Sequence, residues 1–424
     1  MTRRLPPALG AAGGQLWVTG GAGARVVVRT DAGEAVAEGR VDRFGDRLAE
    51  LGVTEALAGR GGFLVRDLDP GDYLVTVDGA PQPLTLLPDD VLPGDWEQRV
   101  RGQRIEAGWG YVETRDGTRL SRNVALPDPD VWGPGPHPTL VQCSAYDDSR
   151  PERLSGRAED DEGMYTEANV ARLLGFAVVG VNVRGTGGSG GAFRMFDRIL
   201  GLDGYDVVEA VAAQPWCGRV GLIGWSGPGF VALRIAATAP PSLAAIAPGA
   251  VLAQGFGTGR RPGGLVNAWV VNRLSGWDVE ETPGAPEGAH PSRYRPGGWD
   301  DWIADRLAAG DDPVLTANQL LRGRTVPPAA EFQAYRTEEA EQRTGPWRWV
   351  SGVRCPTLII GSWQDQESGP GWADLVDDFG EGVDVAVLGT NGTHEESRFP
   401  EAIGQWLGFL SRHLRGEALR VTPE

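Results

Sequence analysis

The sequence predicts an α/β fold: a mostly parallel central sheet with helices on both faces, an inserted helical cap, and a small β-sandwich module in front. Three observations carry that expectation. Strand-like apolar runs alternate with helical stretches over residues 98–254 and again over 350–424; residues 255–349 break the alternation; and residues 1–97 read as closely spaced short strands. At 424 residues the chain exceeds what one hydrophobic core usually supports, which agrees with several structural units.

In order along the chain, residues 15–87 contain the runs LWVTG, ARVVVRT, GGFLVRDL and DYLVTVDG, separated by Gly, Asp and Pro turns. This is the pattern of a β-sandwich, and Asp69-Pro70-Gly71-Asp72-Tyr73 resembles the closing phrase of immunoglobulin-like modules. An acidic linker at 88–97 closes the 1–97 unit. Strands are then expected at 110–113, 123–126, 139–144 and 177–183, with helices at 165–174 and 204–213 and a further strand in RVGLIGWS. Residues 255–349, rich in Trp, Pro and Gly with helical patches at 299–309 and 329–342, read as the cap. Sheet pattern resumes at 356–361 and 383–388, and an amphipathic helix is expected at 400–413.

Composition narrows the partners. A formal charge of -17 opposes nucleic acid or an anionic membrane and favours a neutral or cationic small molecule or peptide. All 40 basic residues are arginine, a bias without functional content. Cys143, Cys217 and Cys355 are odd in number and sit in apolar contexts, so reduced core thiols are expected, and they show no metal spacing. Pro and Gly interrupt the N-terminal stretch before a signal-peptide core could form, and no window reaches the roughly 20 apolar residues of a spanning helix. A cytoplasmic protein is expected, with a homo-oligomer left open.

The run Gly224-Trp225-Ser226-Gly227-Pro228-Gly229 ends a buried-strand pattern and precedes a helical one. Strand, sharp turn and helix form the nucleophile elbow of α/β hydrolases, in which small neighbours make room for the turn and the helix start aims N–H groups at developing negative charge. The spacing here is G-x-S-x-x-G, with Pro228 at the position of the usual second glycine; proline fits a helix's first turn and Gly227 keeps its N–H. Taken alone, the motif also fits a glycine-rich turn with an incidental serine. Serine needs a base, and this class places acid and histidine downstream in that order. Of His290, His394 and His413, His394 lies in a loop just after the strand pattern VDVAVLG, whereas His290 falls in the cap and His413 among arginines on the last helix, where a solvated role is expected. Asp365, at the end of Thr357-Leu-Ile-Ile-Gly361-Ser-Trp-Gln, is the expected acid, with Glu367 as the nearby substitute.

These residues resemble the X-Pro dipeptidyl-peptidase and cocaine-esterase-like (CocE/NonD) family of α/β hydrolases from about Gly117 onward. The resemblance rests on Asp116-Gly-Thr-Arg-Leu, Asn123-Val-Ala-Leu-Pro, Ser144-Ala-Tyr146-Asp147, Val183-Arg184-Gly185-Thr-Gly187-Gly-Ser189-Gly-Gly, Asp203-Gly-Tyr-Asp206 and Gln214-Pro-Trp-Cys-Gly-Arg-Val-Gly, which runs into the elbow. It implies that Tyr146 donates its phenol to an oxyanion beside the N–H of Gly227. Four departures stand out: Gly227 where the family has tyrosine, Asn182 where aspartate is common, a histidine loop without the family's Pro-Trp, and a β-module in front instead of a C-terminal jelly roll.

The expected chemistry is cleavage of an ester or amide through an acyl-serine, with Ser226, His394 and Asp365 as triad, Tyr146 and Gly227 as oxyanion donors, and no cofactor. Cap residues Trp269, Trp277, Trp299 and Trp302 could form an aromatic wall, and Glu280, Glu281, Asp300 and Asp301 could attract an ammonium, although core and solvated face are the simpler roles. Two other outcomes remain open at this point: acyl transfer or cyclisation by the same triad, and a non-catalytic binding protein on the same fold.

Overall fold

A computed structural model describes residues 8–50, 55–146, 148–149, 166–268, 306–309, 312–324, 336–394, 396 and 400–416. His290, Trp269, Trp277, Trp299, Trp302, Glu280, Glu281, Asp300 and Asp301 lie outside the described residues, as does most of the two helical patches expected in the cap.

The front module has seven strands, β1 (Ala8–Ala12), β2 (Gln15–Gly21), β3 (Arg25–Thr30), β4 (Ala35–Arg40), β5 (Arg60–Val65), β6 (Gly71–Val77) and β7 (Ala80–Leu86), with helix α1 (Phe44–Glu50) between β4 and β5. They form two antiparallel sheets, ordered β1-β2-β5 and β4-β3-β6-β7. The alternating apolar residues of both sheets meet in one core, Leu16, Val18 and Phe63 against Val26, Val28 and Val75. Tyr73 Oη donates to the Asp69 carbonyl at 2.6 Å, the back-bonded tyrosine typical of immunoglobulin-like sandwiches. Strands β1, β4 and β7 were not legible in the sequence; β4 and β7 are sheet edges, where Glu38, Arg40, Pro81 and Pro83 are tolerated and blur the strand pattern.

The large sheet comprises β8 (Gly108–Glu113), β9 (Arg119–Ala125), β10 (His137–Ser144), β11 (Ala177–Asn182), β12 (Cys217–Trp225), β13 (Leu243–Gly249), β14 (Thr357–Ser362) and β15 (Val385–Thr390), ordered β15-β14-β13-β12-β10-β11-β9-β8. The six strands from β10 to β15 pair in parallel, and β9 runs antiparallel to β8 and β11. Every residue of β11, AVVGVN, is buried, as expected of a parallel strand covered on both faces. Helices α2 (Pro129–Trp132), α3 (Thr166–Leu173), α4 (Ile199–Ala212) and α5 (Gly227–Ala236) lie within this part, and α8 (Pro400–Arg415) follows β15. Between β13 and β14 the described residues form helices and loops, including α6 (Pro313–Leu320) and α7 (Glu338–Thr344), at the position of the cap. This is the α/β-hydrolase fold. The chain passes from β11 back to the other side of β10 to form β12, so the crevice at the carboxyl ends of β10 and β12 is the topological switch point, where such sheets bind ligands.

All three cysteines are buried and unpaired. No described helix is long and apolar enough to cross a membrane. His413 is half-buried on α8, its ring 4.4 Å from that of Phe409, and burial lowers its pKa.

Two buried charge clusters explain several of the family-like motifs. Arg184, after β11, bonds both oxygens of Asp203 on α4, with Nε donating at 2.6 Å, and reaches Asp116 Oδ2 in the β8–β9 turn at 3.0 Å. Asp116 also accepts from Thr114 Oγ1 and the Thr118 N–H. Two carboxylates around one guanidinium titrate apart. Burial works to raise the Asp116 pKa, but Arg184 and the extra donors hold it down at about 2; burial raises Asp203 to about 6 against the pull of Arg184. Arg115, with its N–H, Nε and Nη2, and Trp96 Nε1 likewise converge on Asp206, tying the linker and the β8–β9 turn to α4.

The front module packs directly on this body. Trp17 meets Ala192 and Leu321, Ala12 meets Ile199 and Leu202, and Phe44, Leu48 and Leu57 meet Leu307, Leu315 and Leu320. Polar bonds join the two as well: Gln15 to Asp197 at 3.2 Å, Arg194 to Asp67 at 2.9 Å, and Arg324 to Asp42 at 2.9 Å.

Candidate active site

Ser226 sits where β12 turns into α5, with φ 60° and ψ -121°, a conformation rare for any residue with a side chain. Surrounding small residues make it possible. A Cβ on Gly224 would lie 2.4 Å from the Pro228 backbone, and one on Gly229 would lie 2.6 Å from the Gly249 carbonyl oxygen. The turn is thus pressed onto the end of β13, and the Ser226 N–H donates to Gly249 O at 2.8 Å. Pro228, early in the first turn of α5, replaces an N–H that would have no helical acceptor. The G-x-S-x-x-G spacing therefore folds as the elbow it resembles, with Gly224 and Gly229 as the two positions that admit no side chain.

Tyr146 follows β10, the strand beside β12. Its N–H donates to Ser144 Oγ at 2.9 Å, and its carbonyl accepts from Asn182 Nδ2. Asn182 Oδ1 also takes the Ser149 N–H and, at 2.6 Å, the Ser149 hydroxyl. The amide at 182, one donor and one acceptor deep in the site, thus fixes the strand-end loop that carries Tyr146; a carboxylate would supply acceptors only. Tyr146 Oη stands 3.4 Å from where a Cβ on Gly227 would be, so the phenol packs against Gly227 at the start of α5.

Asp365 follows β14 and His394 follows β15. Pairing of these neighbours continues past the strands, as Trp363 N–H donates to Thr390 O, Gln364 N–H donates to Gly392 O, and Ser362 and Thr390 share a hydroxyl bond of 2.8 Å. The two loops are zipped together, and His394 Nδ1 lies 2.8 Å from Asp365 Oδ2, both residues buried. Ser368 completes the carboxylate's partners through its hydroxyl at 2.6 Å and its N–H at 2.9 Å, with the Glu367 N–H at 2.7 Å. Burial works to raise the Asp365 pKa, but the bond from His394 and those from Ser368 outweigh it and leave the carboxyl below its ordinary value. The Gln366 side chain accepts the His394 N–H. On its other face the imidazole contacts Trp225, the residue before Ser226, with ring centroids 5.9 Å apart.

Glu367 takes a different place from Asp365. Its carboxylate lies 3.8 Å from His394 Nε2, the nitrogen that does not face Asp365, so of the two carboxylates it is Asp365 that meets Nδ1. Sequence reasoning missed Ser368, Gln366 and the role of Asn182. The only available signal was Asp365-x-x-Ser368, the spacing at which a carboxylate caps a turn.

A sequence profile of the X-Pro dipeptidyl-peptidase (S15) family matches residues 116–395. The chain belongs to this family. Its S15 region spans β9 to the histidine loop and leaves the front module outside. A comparison with curated protein sequences gives no match. Among solved structures the chain is similar to a CocE/NonD family hydrolase from Staphylococcus aureus, at 18% identity and a TM-score of 0.52 over 84% of this chain and 55% of that one. It is similar also to an aminopeptidase from a marine sediment Thaumarchaeota archaeon, at 19% identity and a TM-score of 0.52 over 75% of this chain and 56% of that one. The S15 chain described here thus spans little more than half the length of these structures, and likenesses this distant speak to the fold.

Proposed function

We propose that the protein is a serine hydrolase that cleaves an ester or amide bond of a neutral or cationic small molecule or peptide through an acyl-serine intermediate. The observation that carries this reading is the buried 2.8 Å bond from His394 to Asp365, held against Trp225 at the elbow where Ser226 has φ 60°. A carboxylate on Nδ1 fixes the imidazole tautomer that carries its basic lone pair on Nε2. In the first step Ser226 Oγ bonds to the substrate carbonyl carbon while its proton passes to Nε2. The carbonyl oxygen becomes an oxyanion held by the Gly227 N–H and the Tyr146 hydroxyl. The bond to the leaving alcohol or amine then breaks, and the imidazolium protonates the departing atom. Water repeats the sequence on the acyl-enzyme, giving its proton to Nε2, and releases the free acid with Ser226 reprotonated.

A fluorophosphonate probe with intact-mass readout tests this directly. One adduct on wild type that disappears in Ser226→Ala is the expected result. Folded wild-type protein that takes no adduct overturns the reading.

A further inference from the structure

A narrow apolar recess of about 30 Å³ opens beside Tyr146 and Gly227. One wall is the start of α5, with Pro228, Phe230 and Val231; the other is the loop before α4, with Phe193, Met195 and Phe196. Apart from the Tyr146 phenol its side chains are apolar, so water held there would lack the two to four polar partners it needs. A single water requires about 10–15 Å³ by the same measure, so the recess matches a methyl or ethyl group.

Two features show that its shape is built in. Phe196 has φ 65°, a conformation that bulky side chains rarely adopt, and its ring stands edge-on to Phe230 with centroids 4.8 Å apart. The residues on either side of it are gripped by the front module. Arg194 pairs with Asp67, Asp197 accepts from Gln15, and Arg198 donates to the Gly13 carbonyl at 3.3 Å. The β1–β2 turn fits so closely that a Cβ on Gly13 would lie 2.2 Å from Ile199 Cδ1.

We propose that this recess receives a short apolar substituent on the carbonyl carbon attacked by Ser226, and that Met195 and Phe196 set its depth as specificity-determining residues. The proposal rests on the serine-hydrolase reading. A group bonded to the carbonyl carbon is the part of a substrate that lies next to the oxygen held by Tyr146 and Gly227, which is where the recess opens. A separate, larger cavity of about 540 Å³ lies between the start of the cap and the acid loop, lined by Gly257, Asn267, Trp363, Asp365 and Gln366, so the recess is not the only space open to the rest of a substrate. The front module then has a defined part, as Gln15 and the Gly13-Gly14 turn are positioning elements for the recess wall.

The test measures kcat/KM for p-nitrophenyl acetate, propionate, butyrate and hexanoate on the full chain, with fluorophosphonate labelling and Tm recorded for every variant. Wild type is expected to favour acetate and propionate over hexanoate by about tenfold or more. Phe196→Ala, and Met195→Ala as the milder change should the first fail to fold, are expected to raise hexanoate relative to acetate by about tenfold with Ser226 labelling retained. A labelled, folded wild type with a flat chain-length profile overturns the recess proposal and leaves the hydrolase reading standing, as do variants whose profiles run parallel to wild type. A wild type that neither labels nor hydrolyses any ester overturns both.

Discussion

Burial alone would push a proton onto Asp365, yet four hydrogen bonds, from His394, from the Ser368 hydroxyl and from two backbone N–H groups, keep it ionised. Because its folded pKa lies below the unfolded one, this group stabilises the fold above the ordinary carboxyl range and loses that contribution as pH falls through the folded value. The Tm gap between wild type and Asp365→Asn should therefore be steady above about pH 5 and shrink below about pH 4. At neutral pH the same variant should retain its adduct site but lose roughly 10³–10⁴ in kcat, as asparagine favours the wrong imidazole tautomer. Tyr146→Phe removes one donor and nothing from the packing; kcat for an activated ester should fall about 10²–10³ with KM little changed. The strained turn at Ser226 and the meeting of Asp365 with His394 were legible because few residue types suit the chemistry expected there. Ser368, Gln366 and Asn182 were not, since which polar side chain meets a carboxylate or a loop carbonyl depends on the backbone path.

The elbow turns on how closely β12, α5 and β13 approach one another, and its glycines are unequal. Gly224→Ala would place a Cβ 2.4 Å from the Pro228 backbone, which cannot yield without moving Ser226. Gly227→Ala would bring its Cβ to 3.4 Å from Tyr146 Oη, close to ordinary contact, at a helical position. Measured side by side, Gly224→Ala should lose about 1–3 kcal/mol of stability and its probe labelling, while Gly227→Ala keeps both. Element recognition from sequence succeeded where runs were apolar and bounded by turns, as in β10, β11 and β12. It failed at β13, whose LAAIAPG carries alanine, proline and glycine and becomes a strand only because β12 and β14 pair with it on both sides.

Across the whole molecule the alternation of strand and helix was enough to read the sheet, whereas the mode of packing between front module and body was invisible, since it joins residues such as Gln15 and Asp197 with no local signature. The family-like motifs at Asp116, Arg184 and Asp203 prove to be a buried ionic cluster that locks α4 to the sheet edge. Asp203 holds its proton to a higher pH in the folded state, about 6, than in the unfolded chain. The folded protein therefore binds more protons between about pH 4 and 6, and this group's contribution to stability declines as pH rises through that window. Asp203→Asn, which mimics the protonated acid, should gain in Tm relative to wild type over the same interval; parallel Tm curves would contradict the assignment.

The grip of the Gly13-Gly14 turn on the loop before α4 also orders events during synthesis. Gln15 and Asp197 are 182 positions apart, and ribosomes add roughly 5–20 residues per second. The module's last strand, β7, ends about 110 positions before Asp197, so the front module is complete, and has time to fold, roughly five to twenty seconds before the segment it clamps exists. Through that interval Trp17 and Ala12 have no Ala192 or Ile199 to cover them. A nascent chain stalled before Ala192 would display this apolar strip to chaperones, and release from them would coincide with translation of the recess wall.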